Sequence, residues 1–318
     1  MLRSLRLATA AFLFSSLAGM ASAQDYPNGP VTLVVPYPPG GQIDMIARLL
    51  QPGLEQALGD SVLVENRPGA GGMIGSSSVF RSKPDGQTIV LTTDAVMTLN
   101  PLIFNTPGYD PIKDAAPVTI VSESVLALAI KPDLPVSNVA ELIEYSKNNK
   151  VTFGSSGAPQ QIVGELINQR GGAQFTYIPY PGVAQVMTDV MGGHITMAVG
   201  TLSSILPHVA SGGLKIIAIS NAERMDAMPD MPLISETVDG VVANTWSGIF
   251  APAGTPQPVI EELNAALVKV LSDPDIRKRL EETSEVIVAN TPEEAGERVR
   301  DDIKRWESFL ETVEIPKQ

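Results

Sequence analysis

The amino-acid sequence predicts an α/β protein of two lobes. Each lobe is a mostly parallel sheet flanked by helices, and two crossing strands join the lobes. Three observations support this fold class. Strands alternate with helices in two separate stretches, two β-prone segments fit neither stretch, and the C-terminal part is helical with one short strand. Such alternation is typical of parallel sheets with helices on both faces. The 318 residues are enough for two domains.

The first alternating stretch begins with a β-branched run that ends in two prolines and two glycines. Apolar residues at helical spacing follow, and Gly- or Pro-rich turns separate the later elements. The predicted elements are a strand at Val31–Tyr37, a helix at Gln42–Leu58, a strand at Ser61–Glu65, a helix at Met73–Arg81 and a strand at Thr88–Thr93.

A second stretch has the same rhythm without repeating the sequence, so we expect a second sheet of similar design. Its predicted strands are Val151–Phe153, Phe175–Tyr180, His194–Val199 and Lys215–Ser220, and its predicted helices are Gln160–Gln169, Val183–Met191 and Ser203–Ala210.

Two β-prone segments, Val118–Ile130 and Ala243–Phe250, belong to neither alternation. We predict that they cross between the lobes, so that the chain leaves the first domain, builds the second and returns. The C-terminal amphipathic helices have only the short EVIVA run as a strand and should pack on the first domain. The predicted domains are residues 24–122 together with 245–318, and residues 123–244.

The first 23 residues have the pattern of a secretory signal peptide. Arg3 and Arg6 precede an apolar run, and a small-residue ASA motif ends at Ala23. A membrane anchor is the alternative, but the run is short for the roughly 30 Å of hydrocarbon in a bilayer. The chain has no cysteine, so we expect neither a disulfide nor a lipid anchor on a cysteine. These features predict a soluble periplasmic protein.

The protein is strongly acidic, with a formal net charge of −13. Loss of Arg3 and Arg6 with the signal peptide removes two positive charges and makes it −15. This balance argues against nucleic acid as a partner, because phosphates need a basic surface. A small anionic ligand stays compatible with it, since salt screens surface charges beyond about 8 Å.

The PYPPGGQID stretch after the first strand is the first candidate binding loop. Pro38 and Pro39 end the strand because proline cannot donate to the ladder, and Gly40 and Gly41 let the backbone approach a ligand. The next helix begins with unpaired N–H groups at the positive end of its dipole. Because ligands of open parallel sheets bind beyond the carboxyl ends of the strands, this loop should present donors to an anion or a carbonyl group.

Two aspartates near the same edge are further candidates. Asp44 lies in the first helical turn, where it either complements the helix dipole, worth about 0.3–1 kcal/mol, or orients a water or a ligand donor. Asp94 directly follows the third strand and should face the cleft. There it would favour a ligand or water that offers a donor.

The FGSSGAPQQ stretch repeats the loop design in the second domain. A strand ends, Ser155 and Ser156 add hydroxyl groups, and a helix begins near Pro159. Alone, this pattern is better interpreted as an ordinary loop with a helix cap. With one such loop in each domain, a carboxylate or carbonyl held from both sides becomes the better hypothesis.

Motifs of other chemistries are absent from the sequence. It contains no G-x-x-x-x-G-K-[ST], and no G-x-G-x-x-G follows the first strand. His194 and His208, the only histidines, lie in neither a metalloprotease nor a hydrolase motif. We interpret Arg67 as an ion-pair partner and Trp246 as core or hinge packing. The sequence therefore predicts no enzyme activity, no metal and no cofactor.

Six stretches occur in order along nearly all of the mature chain: VPYPPGGQIDMIARLL, VENRPGAGGMIG, YDPIKDAAPVTIV, LPVSNVAELI, IPYPGVAQVMTDVMGGHITM and GIFAPAGTP. Together they resemble the extracytoplasmic solute receptors of tripartite tricarboxylate transporters, also called Bug receptors. The resemblance implies a monomeric periplasmic-binding-protein architecture that closes on a small carboxylate and delivers it to a membrane permease. It also implies that Pro39–Gly41 with Asp44, and Ser155–Gly157, grip the carboxylate through backbone donors and ordered waters.

The candidate ligand-binding residues lie at the strand ends of both lobes. They are Tyr37, Pro39, Gly40, Gly41, Asp44, Asp94, Ser155, Ser156, Gly157, Gln160, Tyr180, Gly200 and Thr201.

The chain departs from the family at two positions that we expect to touch the pocket. Members often carry histidine where Gln160 or Gln161 stands, and aspartate where Gly200 stands. Gly200 would leave room for a larger or less polar ligand, so dicarboxylates, amino-acid-like acids and aromatic acids are all candidates. Two other functions stay open: a sensing receptor that docks on a membrane kinase, and a secreted enzyme acting through Asp44 or Asp94.

Overall fold

The computed structural model describes residues 26–155, 157–180, 182–225 and 228–311. The expected signal peptide at 1–23 and the candidate residue Ser156 lie outside these ranges. Among the residues described, no helix combines the length and the hydropathy that a membrane span requires.

The strands, in chain order, are β1 (Val31–Val35), β2 (Val62–Asn66), β3 (Thr88–Thr93), β4 (Ala115–Ser124), β5 (Leu126–Ile130), β6 (Val151–Ser155), β7 (Phe175–Pro179), β8 (Met197–Thr201), β9 (Lys215–Ile219), β10 (Thr245–Pro252) and β11 (Glu285–Ile287). The α-helices are α1 (Gln42–Leu58), α2 (Met73–Phe80), α3 (Asn100–Ile103), α4 (Val139–Ser146), α5 (Ala158–Gly171), α6 (Val183–Gly192), α7 (Leu202–Ala210), α8 (Gln257–Leu271), α9 (Pro274–Glu282) and α10 (Pro292–Leu310).

The two-lobed α/β fold predicted from the sequence is confirmed, but both sheets are mixed. The first sheet has the order β11-β4-β10-β3-β1-β2, and the second has the order β7-β6-β8-β5-β9. Among the strands of the described chain, β1 pairs in parallel with β2 and β3, and β6 pairs in parallel with β7 and β8. The strands next to the crossings, β10 and β5, run antiparallel to these, so each sheet combines parallel and antiparallel pairs.

Most predicted elements appear with small shifts, and one strand moves by three residues. The helix at Gln42–Leu58 and the strand at Thr88–Thr93 have the predicted bounds. The strand predicted at His194–Val199 lies at Met197–Thr201 instead. Gly193 ends α6 in the left-handed region with φ 76°, and the His194 N–H then donates to the Asp189 carbonyl, so the helix end uses these residues.

Two crossings join the sheets where the sequence places them. β4 belongs to the first sheet and β5 to the second, and Val125 alone separates them. The return crossing is at Asn244, because Ala243 lies in the buried cluster of the second lobe and β10 lies wholly in the first sheet. Ser220 ties the two crossings together: its Oγ accepts from the Leu126 N–H at 3.1 Å and donates to the Ala243 carbonyl at 2.9 Å.

Each lobe has apolar clusters on both faces of its sheet. In the first lobe, Leu33 of β1, Leu50 of α1 and Leu263 of α8 share one buried cluster, so this C-terminal helix packs on the first sheet. Leu99 and Trp306 instead belong to the main cluster of the second lobe, so the lobes also share apolar contacts beside the crossings. The domain bounds at 122/123 and 244/245 stay a prediction.

Candidate ligand-binding cleft

The strand register places the predicted loops of both lobes on facing edges. Thr93 pairs with Ser247, and Ser124 pairs with Thr245, so the end of β4 lies at the same edge as the carboxyl ends of β1, β2 and β3. In the second sheet, Leu126 pairs with Thr201, so β5 begins at the edge where β6, β7 and β8 end. Because one residue separates β4 from β5, these two edges border the same cleft.

The first candidate loop, residues 38–41, is exposed and follows a tyrosine that is hydrogen-bonded to β3. Residues 38–41 are exposed, and Tyr37 below them is half-buried. The Tyr37 hydroxyl and the Thr93 Oγ1 lie 2.7 Å apart in a hydrogen bond. Burial raises the pKa of Tyr37 to about 12, so the phenol stays neutral and fixes the loop to the end of β3.

Asp44 braces this loop from within the protein. Its side chain is almost fully buried, and its Oδ2 accepts from the Gly40 N–H at 2.9 Å. Its Oδ1 accepts from the Asn66 amide at 2.9 Å, and Arg48 Nε donates to both oxygens at 3.1 and 3.0 Å. The same Asn66 amide donates to the Tyr37 carbonyl at 3.1 Å. The Arg48 hydrogen bond is the largest cause that lowers the pKa of Asp44 to about 2.

This geometry changes the two roles considered for Asp44. Its carboxylate is occupied by donors of the chain, so it acts neither as a simple dipole partner nor as a free acceptor for a ligand. The Gly40 N–H is occupied as well, so it is not one of the unpaired donors expected in the loop. The first loop keeps the N–H groups at the start of α1, where Gly41 is the N-cap and no side chain caps the helix.

Asp94 does not face the cleft as expected. The residue is 2% exposed and lies inside the first lobe at the start of a π-helical turn, Ala95–Leu99. Burial raises the pKa of Asp94 to about 7, and the nearby carboxylate of Asp302 acts in the same direction. The third strand ends by turning this side chain inward, so the carboxyl group is withdrawn from a ligand.

The second loop uses Ser155 as an internal brace. This residue is fully buried, and its Oγ donates to the Gly157 carbonyl at 3.1 Å. The Tyr180 N–H donates to the Ser155 carbonyl at 3.0 Å, and the Tyr180 hydroxyl donates to Asp189 Oδ2 at 2.6 Å. The loop is thus held by its own side chains, while Gly157 begins α5 with extended backbone and no side-chain cap.

Gln160 carries an acceptor that lacks a donor. Its Oε1 atom is buried and has no hydrogen-bond partner among the described residues. The atom lies beside Gly157, since a Cβ added to that glycine would come within 2.7 Å of it. A buried acceptor left unpaired costs about 1–3 kcal/mol, so this position suits a ligand group that donates a hydrogen bond.

The room expected at Gly200 is already filled. A Cβ added there would lie 3.1 Å from Met187 Cε and 3.3 Å from Ser204 Oγ. The expectation that this glycine enlarges the pocket is therefore wrong, because α6 and α7 pack over it. Thr201, half-buried, is the N-cap residue of α7, and its Oγ1 accepts from the Ser203 hydroxyl at 3.1 Å.

Helices that begin at the cleft lack side-chain caps, and helices that begin elsewhere mostly have them. The N-cap residues of α1, α5, α6 and α7 form no side-chain cap hydrogen bond; they are Gly41, Gly157, Gly182 and Thr201. Away from the cleft, α4, α9 and α10 are capped by Asn138, Asp273 and Thr291. α8 is uncapped but has Pro258, which carries no N–H, in its first turn. The cleft therefore keeps first-turn N–H groups of α1, α5, α6 and α7 without a side-chain cap, although Pro159 of α5 has no N–H and the Leu202 N–H of α7 donates to the Val125 carbonyl at 2.8 Å. α2 also begins at this edge without a side-chain cap, but its Met73 and Ile74 N–H groups donate to the Ala70 and Gly69 carbonyls.

Two further parts of this edge of the cleft, the RPGAGG loop and Asn66, were not identified as site residues from the sequence. Gly72 of the RPGAGG loop lies against Tyr37, since an added Cβ would be 2.9 Å from its hydroxyl oxygen. Gly69, Gly71 and Gly72 all have positive φ, which glycine alone adopts readily. Asn66 ends β2 and the loop follows it, so both lie at the edge where the other binding loops lie. This position after a parallel strand could have identified them from the sequence.

A separate cavity lies at the opposite edge of the second lobe. Its volume is about 420 Å³, and it is formed where β6 and β8 begin rather than where they end. Its lining residues, none of them a predicted site residue, are Lys131, Asp133, Leu134, Pro135, Tyr145, Lys150, Thr152, Gly193, His194, Ile195 and Thr196.

The chain resembles proteins of known family and structure along most of its length. Protein BugT of Bordetella pertussis is 31% identical over 310 residues, which cover 95% of each chain. The structure of R. palustris Rpa4515 with adipate has a TM-score of 0.82 and 30% identity, covering 90% of this chain and 98% of that one. MatC from Rhodopseudomonas palustris with bound malate has a TM-score of 0.76 and 27% identity, covering 90% and 100%. The family model for tripartite tricarboxylate transporter family receptors matches residues 46–315, and the chain belongs to that family.

Proposed function

We propose that this protein is a periplasmic receptor that captures a small carboxylate between its lobes and delivers it to a membrane permease. The observation that carries the proposal is the set of uncapped helix N-termini, α1 from one lobe and α5, α6 and α7 from the other, on facing edges. A carboxylate offers two acceptor oxygens and a negative charge, which is what such N-termini bind.

The donors on this cleft are neutral, which suits reversible capture. Residues 36–43 and 154–161 include neither lysine nor arginine, so the ligand would be held by backbone N–H groups instead of a buried ion pair. Asp44 and Ser155 hold the two loops in place through internal hydrogen bonds. Loops that are ordered before binding lose less conformational freedom when the ligand arrives.

The ligand class is a small dicarboxylate. Two similar structures carry adipate and malate, and we propose an acid of comparable size here. The unpaired Gln160 Oε1 favours an acid with a hydroxyl or amino group near one carboxylate. The ligand-binding set then comprises the backbone amides of the N-cap residues Gly41 and Gly157, with Tyr37, Gln160 and Tyr180 around them, while Asp44 and Ser155 hold the loops in place.

The mechanism is binding without chemistry. Closure would occur about Val125 and Asn244, whose neighbours Leu126 and Ala243 are both hydrogen-bonded to the Ser220 hydroxyl, and the permease would recognise the closed form. A signal peptide at 1–23 would direct the receptor to the periplasm. The receptor would act there as a monomer. Asp44 and Asp94, the acids considered for catalysis, are engaged or buried, which supports a receptor over an enzyme.

The proposal is tested by screening residues 24–318 against a panel of carboxylates. The panel contains malate, succinate, adipate, glutamate, benzoate and, as a neutral control, the diamide of succinate. We expect a dose-dependent rise in unfolding temperature with at least one dicarboxylate, a dissociation constant by calorimetry, and no product by NMR after prolonged incubation. Conversion of a bound acid to a product would show that the protein is an enzyme. Absence of binding by every carboxylate of the panel would contradict the proposed ligand class.

A further inference from the structure

A buried acid, Glu285, lies where the first lobe meets the crossing. It is 2% exposed and belongs to β11, the edge strand beside β4. Its Oε2 accepts from the Ser122 hydroxyl and its Oε1 from the Ser124 hydroxyl, both at 2.6 Å. Burial raises the pKa of Glu285, and these donors counteract the rise. Both carboxyl oxygens are thus satisfied inside the protein.

A third donor reaches this carboxyl group from the ligand loop. The side-chain amide of Gln42 donates to Glu285 Oε1 and, at 2.9 Å, to Ser124 Oγ. Gln42 is the first residue of α1, directly after Gly41. Ser124 is the last residue of β4, directly before Val125. The carboxyl group therefore connects the start of the candidate anion-binding helix to the strand that crosses between the lobes.

Anchoring of the C-terminal segment does not by itself account for this acid. The segment after β11 is already tied to β4 by Asn290, whose Oδ1 accepts from the Ile120 N–H at 2.8 Å. The Val288 and Ala289 N–H groups also donate to β4 carbonyls at 3.1 and 2.9 Å. A buried carboxyl group is costly to desolvate. Besides its hydrogen bonds to Ser122 and Ser124 of β4, the Glu285 carboxyl group contacts Gln42.

We propose that Glu285 is a positioning residue that fixes Gln42, and with it the N-terminus of α1, against the crossing strand. This inference rests on the proposed function, because it concerns the same site. When the lobes rotate about Val125, Ser124 stays with the first lobe, because β4 pairs there with β10 and β11. The shared hydrogen bonds of Glu285, Ser124 and Gln42 keep the first-lobe donors in a constant position relative to the hinge, so that closure brings them onto the ligand.

The experiment compares Glu285→Ala, Gln42→Ala and the double variant by calorimetry with malate and adipate as probes. We expect each single variant to raise the dissociation constant by about tenfold, or about 1.4 kcal/mol. The double variant should be no weaker than either single variant, because both remove the same contact. Gln42→Ala lies in the half-exposed first turn and provides the measurement should Glu285→Ala fail to fold.

Asn290→Ala is the matched control, because it removes a hydrogen bond between β4 and the segment after β11 and leaves the contacts of Gln42 unchanged. It should lower the unfolding temperature and leave both dissociation constants within twofold. A purely structural role for Glu285 would give the same result in Glu285→Ala, and that outcome would overturn the inference. Additive effects of the two single variants would also overturn it. Failure of the unmodified protein to bind either probe or any other acid of the panel would instead count against the proposed function, and the inference would fall with it.

Discussion

The backbone N–H of Gly40 donates to Oδ2 of Asp44 at 2.9 Å, so the acid of the first helical turn folds back onto the loop that precedes it. Asn66 and Arg48 complete the set of donors to the same carboxylate. The loop that would meet the ligand is therefore shaped by a buried anion that the ligand need not touch.

Asp44→Ala should weaken both the fold and ligand binding. Removal of the carboxylate leaves the Gly40 N–H and the Asn66 amide without their acceptor, and hydrogen bonds to charged groups are worth about 1.5–3 kcal/mol. We expect the free energy of unfolding to fall by about 2 kcal/mol, measured in urea, and the dissociation constant for the bound acid to rise about tenfold.

Arg48→Ala serves as the control for this variant. The Arg48 side chain is 50% exposed, and an ion pair with such a partner contributes less than about 1 kcal/mol. It should leave binding nearly unchanged. An Asp44→Ala variant with wild-type affinity would show that the loop keeps its shape without the brace.

Asp94 should make the protein less stable as the pH rises from about 4 to 7. Its pKa is 3.8 in its ordinary state and about 7 in the fold, so between these values the folded protein keeps a proton that the unfolded chain has lost. Stability then decreases with rising pH across this window. Asp94→Asn cannot ionise and should be more stable than the parent at pH 8 by about 1 kcal/mol or more, since one pKa unit corresponds to about 1.4 kcal/mol.

Urea unfolding of both proteins at pH 5 and pH 8 measures this difference. Asp301→Asn, which changes an exposed acid on α10, should follow the parent at both values. Parallel profiles for Asp94→Asn and the parent would mean that Asp94 is ionised in the folded protein at pH 5.

The unpaired acceptor of Gln160 predicts a preference for a hydroxylated acid. Malate and succinate differ only by one hydroxyl, and a hydrogen bond from that group to Gln160 Oε1 should favour malate by about 1 kcal/mol, or about fivefold in affinity. Gln160→Leu should remove the preference by weakening malate and sparing succinate, as measured by calorimetry. An equal loss for both acids would assign Gln160 to loop shape alone.

Gly200→Ala should affect stability and leave ligand choice alone. The new methyl group would meet Met187 and Ser204, both of which can shift, so we expect a loss of about 1 kcal/mol. The ratio of the adipate and malate dissociation constants should stay within twofold of the parent. A changed ratio would show that the space in front of Gly200 opens to the ligand after all.

The sequence predicted the scaffold well because its local signals agree. The helix at Gln42–Leu58 has both apolar periodicity and glycines at its ends, and its bounds are as predicted. The crossing at Val118–Ile130 was recognisable because a long β-prone run with polar residues at its centre suits no single strand. In contrast, the pairing direction of β5 and β10 depends on the return path of the chain, which local pattern does not encode.

Side-chain direction at the cleft was the part that the sequence could not provide. Asp44 and Asp94 both follow strand ends, yet one turns back to Gly40 and the other turns into the core. Their directions depend on Arg48, Asn66 and the π-helical turn after β3, whose positions come from tertiary packing. Gly200 was misjudged for the same reason, because Met187 approaches it from another helix.

The most direct test follows the backbone amides of Gly41 and Gly157 by ¹⁵N–¹H NMR while a dicarboxylate that binds in calorimetry is added. We predict that the resonances of both glycines, and of Gln42 and Ala158 beside them, shift together and saturate at the dissociation constant measured by calorimetry. Saturable binding that leaves these amides unchanged, or that moves only residues around Lys131 and His194 at the distant cavity, would contradict the assignment of the cleft.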